Sequence, residues 1–425
     1  MKFGSWMSLL LLWSLAACSI PTNANGNGSG GINAPAQRHK PYLILISIDG
    51  FRWDYQDLYE TPALERLAAN GVRAESLEPV FPTLTFPNHY SFATGLYPVN
   101  HGIVANNFPD TDSDDWYLYK LPEIVQQGRW YGGEPIWVAA EKSGMVSAAY
   151  FFVGTEADIG GVRPTYWHRF DDSISAGRRI DQVLEWLEMP VETRPHLITL
   201  YFEHVDNYAH QYGIGSKESI SEIKRIDRYL GKLLDGIDRL PHGQDVYIVL
   251  VSDHGQSEYD LDAKVLALDR VFSLDGISIV EGGTYAFLFF DEKDPSRATR
   301  VRDEINRVWH HGRAWLPGET PDSWRVTADS RFPDVIVQPY LHYGVVSSRD
   351  KLHKMNRGDH GWDPSFKDMH GIFIAAGPRL PKGETIGTVT AVDIYPLMME
   401  ILEIPLTTAI DGDPDKLSPL LAPRQ

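Results

Sequence analysis

The chain has 425 residues, with 39 lysines and arginines against 57 aspartates and glutamates, so its formal net charge is −18. Hydrophobic residues make up 43% and charged residues 23%, which is a globular composition and excludes a disordered chain. The acidic balance argues against specific binding of a nucleic-acid duplex, although a bound metal can reverse the local field for a small anion. The single cysteine excludes a disulfide framework and a cysteine-built zinc site.

The first residues have the form of a secretory signal. Lys2 supplies a positive charge, and the apolar run that starts with Leu9–Leu12 is too short for a transmembrane helix of about 20 residues. The small residues before Cys18 resemble a bacterial lipobox, so we expect residues 1–17 to be removed and Cys18 to be lipidated. An ordinary signal peptide is the alternative. Ser19 favours the outer membrane, so we expect an exported protein anchored in the bacterial envelope.

A polar segment follows the cysteine. Residues 19–40 are rich in Gly, Asn and Ser and lack apolar periodicity, which is typical of a flexible tether. Residues 18–40 are therefore expected to link the anchor to the folded body. The remaining chain, residues 41–425, is expected to form one domain.

Four apolar runs predict strands of a buried, mostly parallel sheet. They are Tyr42–Ile48, His196–Phe202, Val246–Val251 and Gly371–Ala376. Apolar residues at helical spacing, with capping signals, predict helices between and after them. These helices run from Thr61, as N-cap, and Pro62 to Gly71, across Lys217–Leu234 and across Val392–Leu402.

Strands that alternate with helices predict an α/β fold, with a doubly wound sheet that carries helices on both faces. The stretches 107–190 and 260–345 are irregular and rich in aromatic residues. We interpret them as insertions that build a cap over one edge of the sheet. No sequence pattern predicts an oligomeric state.

Polar residues follow the predicted strands, where a doubly wound sheet collects its functional groups. They are Asp49, Asp206, His210, Asp253, His254 and His360. Two zinc ions could each take three of these ligands and keep one open position, and carboxylates with imidazoles suit zinc better than calcium or magnesium. Asp206 and His210 are one helical turn apart and so share a face. Singly, each residue is equally well explained as a helix cap or a turn residue.

A proline-bracketed segment lies between the first two strands. A short helix that ends at Gly95 is expected to begin near Thr85, where its backbone N–H groups and dipole would face an anion. A threonine hydroxyl bound to zinc at this point would lose its proton near neutral pH and become a nucleophile. The alternative is that Thr85 is a simple N-cap.

These segments resemble the nucleotide pyrophosphatase/phosphodiesterase family, within the alkaline phosphatase superfamily, from about Tyr42 to about Leu421. The matching motifs are Ser-Ile-Asp49-Gly-Phe-Arg, Thr85-Phe-Pro-Asn-His-Tyr, Thr94-Gly-Leu-Tyr-Pro with His101-Gly-Ile, Asp206-x-x-x-His210, Ser-Asp253-His254-Gly and His360-Gly. The resemblance implies an alkaline-phosphatase-like, mostly parallel sheet with cap insertions.

The resemblance further implies a hydrolase with two zinc ions. One ion would be held by Asp49, Asp253 and His254 beside the Thr85 nucleophile, and the other by Asp206, His210 and His360. Asn106 would bind a phosphoryl oxygen. Thr85 would attack phosphorus to form a phosphothreonine, which water activated by the second metal would release. A turn residue is the alternative for Asn106.

The substrate class is also implied by the resemblance. Phe86, after the nucleophile, would stack on a nucleobase, and Trp167 or its neighbour Tyr166 would supply a second aromatic ring. Cleavage of a nucleoside triphosphate would then give a monophosphate and pyrophosphate. Core packing is the alternative for both rings. Val153 stands where the family usually has Trp-Pro-Gly, which changes the pocket wall.

Other functions remain open at this point. Some relatives cleave lysophospholipid or choline phosphodiesters, which an anchored enzyme could meet at a membrane. A phosphomonoesterase of the superfamily would use Ser, and a sulfatase would need a modified Cys or Ser in the nucleophile segment, which Thr85 does not provide. A phosphoglycerate mutase would be cytosolic. A surface lipoprotein that binds nucleotides without turnover would not need six metal ligands.

Overall fold

The structure is a computed structural model that describes residues 30–110, 113–260, 265–328 and 331–423. The expected signal peptide, Cys18 and the first part of the tether lie outside the described residues. None of the helices in the described ranges has the length and apolar character needed to cross a bilayer.

Twelve strands in the described ranges build the two larger sheets. They are β1 (Tyr42–Ile48), β2 (Gly71–Ala74), β3 (Ser147–Tyr150), β4 (Tyr166–Trp167), β5 (Leu197–Phe202), β6 (Val246–Val251), β7 (Ile277–Glu281), β8 (Ala286–Phe290), β9 (Gly312–Trp315), β10 (Val335–Pro339), β11 (Phe373–Ala376) and β12 (Glu384–Ile386). Short ladders pair Leu77–Glu78 with Val389–Thr390, Asn107–Pro109 with Trp116–Leu118, Ser257–Glu258 with Gly358–Asp359, and Leu266–Ala267 with Val345–Val346.

The central sheet has the strand order β12-β2-β11-β6-β1-β5-β3-β4. Strand β11 is antiparallel to both of its neighbours, and every other pairing in the sheet is parallel. The predicted mostly parallel, doubly wound α/β sheet is therefore confirmed. Every residue of β1 is buried, as its continuous apolar run predicts for a central strand covered on both faces.

Eight helices of seven or more residues are described. They are α1 (Pro62–Ala69), α2 (Thr85–Thr94), α3 (Ile136–Lys142), α4 (Ala176–Leu187), α5 (His204–Tyr212), α6 (Lys217–Arg239), α7 (Pro295–Val308) and α8 (Ile394–Leu402). Single-turn helices cover Tyr55–Leu58, Pro98–His101, Pro122–Val125 and Pro414–Leu417. Helix α6 runs past the predicted Leu234 because Ile237 continues its buried face.

The helices cover both faces of the central sheet. Successive side chains of β1 alternate between the two faces, so Leu43 belongs to a core with α2, α3 and α8, and Ile44 to a core with α1, α4 and α6. Two separate apolar cores therefore hold the sheet between helical layers.

The N-terminus of α1 differs from the prediction that Thr61 caps it. The Thr61 side chain makes no capping hydrogen bond, and its hydroxyl is buried without a partner among the described residues. The amides of Ala63 and Leu64 donate instead to the carboxylate of Asp227 in α6, at 3.1 and 2.9 Å. The cap comes from a residue distant in sequence, which local capping rules do not reveal.

The chain packs into the folded body before residue 41, where the domain was predicted to begin. Asn33 is fully buried, its side-chain oxygen accepts from the Val146 amide at 2.7 Å, and its Nδ2 donates to the carbonyls of Val191 and Arg194 at 2.9 and 2.7 Å. This one side chain fixes the end of the segment interpreted as a flexible tether. Composition does not show this, because the partners are backbone groups far along the chain.

The two stretches interpreted as cap insertions have different structures. Residues 107–190 supply β3 and β4 to the central sheet as well as α3 and α4, so this stretch is not only an insertion. Residues 260–345 contain a separate antiparallel sheet in the order β7-β8-β10-β9, with α7 packed on it around a third apolar core. Phe81 stacks on Trp324 with ring centroids 3.9 Å apart, which joins this cap sheet to the loop before α2.

Candidate active site

The predicted ligand residues meet at the carboxyl ends of three adjacent parallel strands. Asp49 directly follows β1, Asp206 lies in α5 after β5, and Asp253 and His254 follow β6. Because β1 lies between β5 and β6, these residues converge at one edge of the sheet. His360 reaches the same place from the loop before β11.

Gly50 allows this convergence. Its φ is +67°, and a Cβ atom at this position would lie 3.0 Å from the Asp206 Cα and 2.8 Å from the Gln256 Nε2. Its amide donates to Asp253 Oδ1 at 3.2 Å. A side chain here would push the segments apart, so the close approach requires glycine.

The first cluster contains Asp49, Asp253 and His254, whose possible ligand atoms all lie within 4.8 Å of one another. His254 Nε2 lies 3.1 Å from Asp253 Oδ2 and 3.5 Å from Asp49 Oδ1. Both of these carboxylate oxygens are buried and accept no hydrogen bond from any described residue. Orphaned, converging acceptors of this kind are the donor set that a metal cation satisfies.

The second cluster lies beside the first. Asp206 Oδ2 is 3.0 Å from His210 Nε2, and Asp206 Oδ1 is 3.8 Å from His360 Nε2. His254 also belongs here, because it forms a group within 4.8 Å with Asp206 and His360, and its ring stacks on that of His360 at 3.6 Å. Asp359 forms a third group with His210 and His360 and was not predicted, although it directly precedes a predicted ligand.

The three histidines share one tautomer. In each, Nδ1 faces a backbone carbonyl, which can only accept a hydrogen bond, so Nδ1 carries the proton and Nε2 keeps a lone pair. The pairs are His210 with Gly358 at 2.8 Å, His254 with Gly255 at 3.0 Å, and His360 with Thr83 at 2.8 Å. Each Nε2 is thus directed at a carboxylate and, once it carries no proton, can ligate a metal.

Burial and crowded charge shift the acidity of these groups. Burial and the neighbouring Asp253 raise the pKa of the Asp49 carboxyl well above its usual value, and burial with Asp206 does the same for Asp253. Burial opposes protonation of His210, yet the adjacent Asp206 raises the pKa of its imidazole to about 10. A bound divalent cation would compete with that proton and offset the repulsion among the carboxylates, so the residues fit a metal centre.

Thr85 and Asn106 lie at the start of α2. The Thr85 hydroxyl is 3.5 Å from His254 Nε2, and the Asn106 side-chain oxygen accepts from the Phe86 amide at 3.0 Å. This bond uses the Asn106 oxygen as acceptor, so its Nδ2 group is the part of the side chain that could donate to an anion.

Helix α2 begins at Thr85 and ends at Gly95, as predicted, but it does not offer an array of free amides. The Phe86 amide is bonded to Asn106, Pro87 has no N–H, and the Asn88 amide donates to the Leu84 carbonyl at 3.2 Å. The anion would therefore meet the Asn106 side chain more than the backbone. The Asn88 side chain bonds the loop before Thr85, which fixes where the helix starts.

The predicted aromatic residues occupy different environments. Phe86 is half-buried and packs edge-to-face on Tyr119 with ring centroids 5.3 Å apart. Trp167 is half-buried, and the Arg163 guanidinium lies 5.3 Å from its ring centroid. Tyr166 does not reach the site, because it is buried against Trp186 and its hydroxyl donates to the Thr193 carbonyl.

Two aromatic residues near the site were missed. The Tyr201 hydroxyl donates to Asp49 Oδ2, and Tyr201 pairs with Ser47 two residues before Asp49, which is a signal that strand register supplies. Phe170 is 45% exposed, its ring lies 6.2 Å from that of Tyr201, and its amide donates to Glu156 at 2.8 Å. Phe170 lies three residues after Trp167, outside the residues named in the prediction.

Comparison with protein families and curated proteins identifies the family of the chain. A model described as type I phosphodiesterase/nucleotide pyrophosphatase matches residues 43–363. An uncharacterized pyrophosphatase/phosphodiesterase of Schizosaccharomyces pombe is 32% identical over 88% of this chain and 80% of that protein. A venom phosphodiesterase of Crotalus durissus collilineatus is 31% identical, and the human ectonucleotide pyrophosphatase/phosphodiesterase family member 1 is 29% identical. The matches cover 88% and 87% of this chain but only 46% and 41% of those two proteins.

Solved structures agree with the fold. Murine ectonucleotide pyrophosphatase/phosphodiesterase 5, as an inactive variant in complex with AMP, superposes with a TM-score of 0.83. The two sequences are 26% identical, and the match covers 90% of this chain and all of that chain. The alkaline-phosphatase-like fold expected from the sequence is thereby confirmed.

The unpartnered carboxylates predict that Asp253→Asn stabilises the metal-free protein but reduces the stabilisation that Zn²⁺ gives. In protein treated with a chelator, Asp253→Asn removes one of the crowded, buried carboxylates, so the midpoint of thermal unfolding rises by about 1 °C for each kcal/mol of repulsion relieved. Added Zn²⁺ raises the midpoint of the wild type by mass action and that of the variant much less. Differential scanning calorimetry with chelator and with Zn²⁺ measures both effects.

The control is Asp238→Asn, because the Asp238 side chain is 70% exposed and pairs with Arg66 on the surface. It should leave both midpoints unchanged. A variant at Asp253 that keeps the full Zn²⁺-dependent rise would show that this cluster does not hold the metal.

Proposed function

The chain belongs to the type I phosphodiesterase/nucleotide pyrophosphatase family of enzymes, and we propose that it hydrolyses nucleotides at a phosphodiester or pyrophosphate bond with two zinc ions and a phosphothreonine intermediate. A nucleoside triphosphate would give a monophosphate and pyrophosphate. The observation that carries this proposal is the Thr85 hydroxyl, 3.5 Å from His254 Nε2 and at the border of the paired ligand clusters.

The ligand set fits zinc. It combines carboxylate oxygens with imidazole Nε2 atoms and contains no sulfur, and it is divided so that each ion would have three protein ligands. One ion would be held by Asp49, Asp253 and His254, and the other by Asp206, His210 and His360. When bound, the ions would lower the pKa of hydroxyl and water oxygens and stabilise charge on phosphoryl oxygens.

The residues of the chain supply the remaining chemistry. The Thr85 oxygen forms a bond to phosphorus as the bond to the leaving oxygen breaks, and the Asn106 Nδ2 group donates to a non-bridging oxygen. Water then attacks phosphorus from the opposite side, the bond to Thr85 breaks, and its oxygen regains a proton. His89 holds the start of α2 in place, with Nδ1 on the Thr85 carbonyl and Nε2 on Ser47, both at 2.8 Å.

Aromatic rings support a nucleotide substrate. Phe86 directly follows the nucleophile, and the exposed ring of Phe170 packs toward Tyr201, whose hydroxyl bonds to Asp49. Exposed aromatic faces beside a phosphate site suit stacking on a base. The AMP bound by the murine neighbour also supports this class, and lysophospholipid or choline diesters would use the same phosphate chemistry.

The anchored, exported location is also part of the proposal. The Asn33 clamp bonds Val146 and Arg194, which precede the amino ends of β3 and β5, whereas Thr85 and the ligands lie at the carboxyl ends of the strands. A chain that arrives from a lipidated Cys18 would therefore join the body at the sheet edge opposite the site, and the site would stay open to solutes in the bacterial envelope.

The proposed nucleophile predicts a specific loss of product. With ATP, the wild type should release AMP and pyrophosphate, and Thr85→Ala should lower kcat by at least about 10³-fold because the attacking oxygen is gone. Thr85→Ser should retain part of the activity. Chromatography of the products, with glycerophosphocholine and 4-nitrophenyl phosphate as competing substrates, measures the outcome.

Thr193→Ala serves as the matched control, since its hydroxyl bonds only the nearby Pro190 carbonyl at 3.3 Å. Normal turnover by Thr85→Ala would exclude Thr85 as the nucleophile. Faster cleavage of the monoester or of glycerophosphocholine than of ATP would exclude the nucleotide assignment.

The exposure of Phe170 predicts that it, and not Trp167, contacts the base. Phe170→Ala should raise the KM for ATP about 10-fold, since base–aromatic stacking contributes about 1–3 kcal/mol, with a smaller effect on kcat. Trp167→Ala should change KM little. Steady-state kinetics decide between the two rings, and an equal or larger KM effect at Trp167 would favour the ring predicted from the sequence.

The proposed anchor predicts a change of location. Full-length protein expressed in a bacterium should fractionate with membranes, and Cys18→Ser should be found in the soluble envelope fraction because the acylated thiol is absent. Immunoblots of the fractions, with ATP hydrolysis as a check of folding, measure this. A Cys18→Ser protein that stays with the membrane would contradict lipidation at this residue.

A further inference from the structure

We propose that Gln256 is a positioning residue that fixes the carboxylate of Asp206 and selectively strengthens metal binding at the Asp206–His210–His360 cluster. This inference rests on the proposed two-zinc site. Gln256 is fully buried, and its Nε2 lies 2.6 Å from Asp206 Oδ1. It follows the Asp253-His254-Gly turn, so it connects the segment of the first cluster to a ligand of the second.

The chemistry of the pair fixes its direction. An ionised carboxylate only accepts hydrogen bonds, so the amide of Gln256 must present its N–H group to Asp206. Its own oxygen is buried without a partner among the described residues. The hydrogen bond to Asp206 is therefore the polar interaction that the Gln256 amide makes. An apolar side chain could fill the same space without burying an unpartnered oxygen, so packing alone does not account for a glutamine here.

The bond restrains how Asp206 meets its histidines. With Oδ1 held by Gln256, Oδ2 remains 3.0 Å from His210 Nε2 and Oδ1 remains 3.8 Å from His360 Nε2. Hydrogen bonds to a ligating carboxylate fix its orientation, and their loss typically lowers metal affinity about 10–100-fold.

Gln256 itself is held in place by its surroundings. The Gln256 Nε2 lies so close to Gly50 that a Cβ on that glycine would come within 2.8 Å of it. The backbone carbonyl of Gln256 accepts a hydrogen bond from the Arg52 guanidinium at 3.4 Å. Within the described part of the chain, no hydrogen bond joins the Gln256 side chain to Asp49, Asp253 or His254, so its effect should be confined to the second cluster.

Zinc titration of metal-free protein against a chromophoric chelator tests this. The wild type should bind two ions, and Gln256→Met, which keeps the chain length but not the donor, should weaken one of them about 10–100-fold and leave the other unchanged. In the Asp253→Asn background, where the first cluster is disabled, Gln256→Met should weaken the single remaining ion by the same factor. A general loss of folding would weaken both ions, so this selectivity separates positioning from a structural role.

Gln182→Met is the control, because this buried glutamine of α4 accepts a hydrogen bond from Arg178 and is not bonded to a predicted metal ligand. If Gln256→Met does not fold, Gln256→Asn tests the same bond, since its amide is one methylene too short to reach Asp206. Two unchanged zinc affinities in the Gln256 variant would overturn this inference alone. A wild type that binds no zinc, or one ion, would overturn the two-zinc proposal and the inference with it.

Discussion

Mutual repulsion among three buried aspartates disfavours the active-site edge of the central sheet unless that charge is balanced. Asp49, Asp206 and Asp253 are each less than 10% exposed and lie at one edge of the central sheet. Such a group is unfavourable unless cations balance it. His210 can balance Asp206, which raises the pKa of that imidazole to about 10, but burial lowers the pKa of His254 and His360, so these two rings do not supply a cation to Asp49 and Asp253. The fold therefore presents a site whose own stability favours metal binding, and the acidity of the whole chain includes the groups that would attract a phosphate substrate through that metal.

His254 makes the two clusters one unit. Its Nε2 lies near Asp49 and Asp253, it also belongs to a group with Asp206 and His360, and its ring stacks on His360. The Thr85 hydroxyl approaches the same nitrogen. A shift of this imidazole would thus alter its contacts with Thr85 and with both clusters together, and it is fully buried and held by the carbonyl next to it.

The sequence predicted those features that depend on a local pattern of residue types. The continuous apolar runs predict β1, β5 and β6, and the polar residues at their ends predict the ligand clusters. Strand β3 was missed because small residues such as Ala148 and Ala149 give no strand signal of their own, and β4 was missed because it is only two residues long. The Asn33 clamp and the Asp227 cap were missed because their partners are distant backbone groups. Phe170 was not considered, because its exposure depends on how a loop packs, which a run of aromatic residues in a sequence does not show.

The cap sheet is a support for the active site and not only a wall above it. His360 lies on a loop without regular structure, and such a loop cannot hold a metal ligand unaided. The Thr284 hydroxyl, next to β8, donates to the His360 carbonyl, and Gln338 in β10 donates to the Thr284 and Gly361 carbonyls. Trp362 adds to this support. Its indole donates to the Tyr343 carbonyl, and its own carbonyl accepts from Thr83, two residues before Thr85. The cap insertion thus holds His360 at the edge of the central sheet and connects it to the start of α2. The active site is therefore complete only when the cap is present.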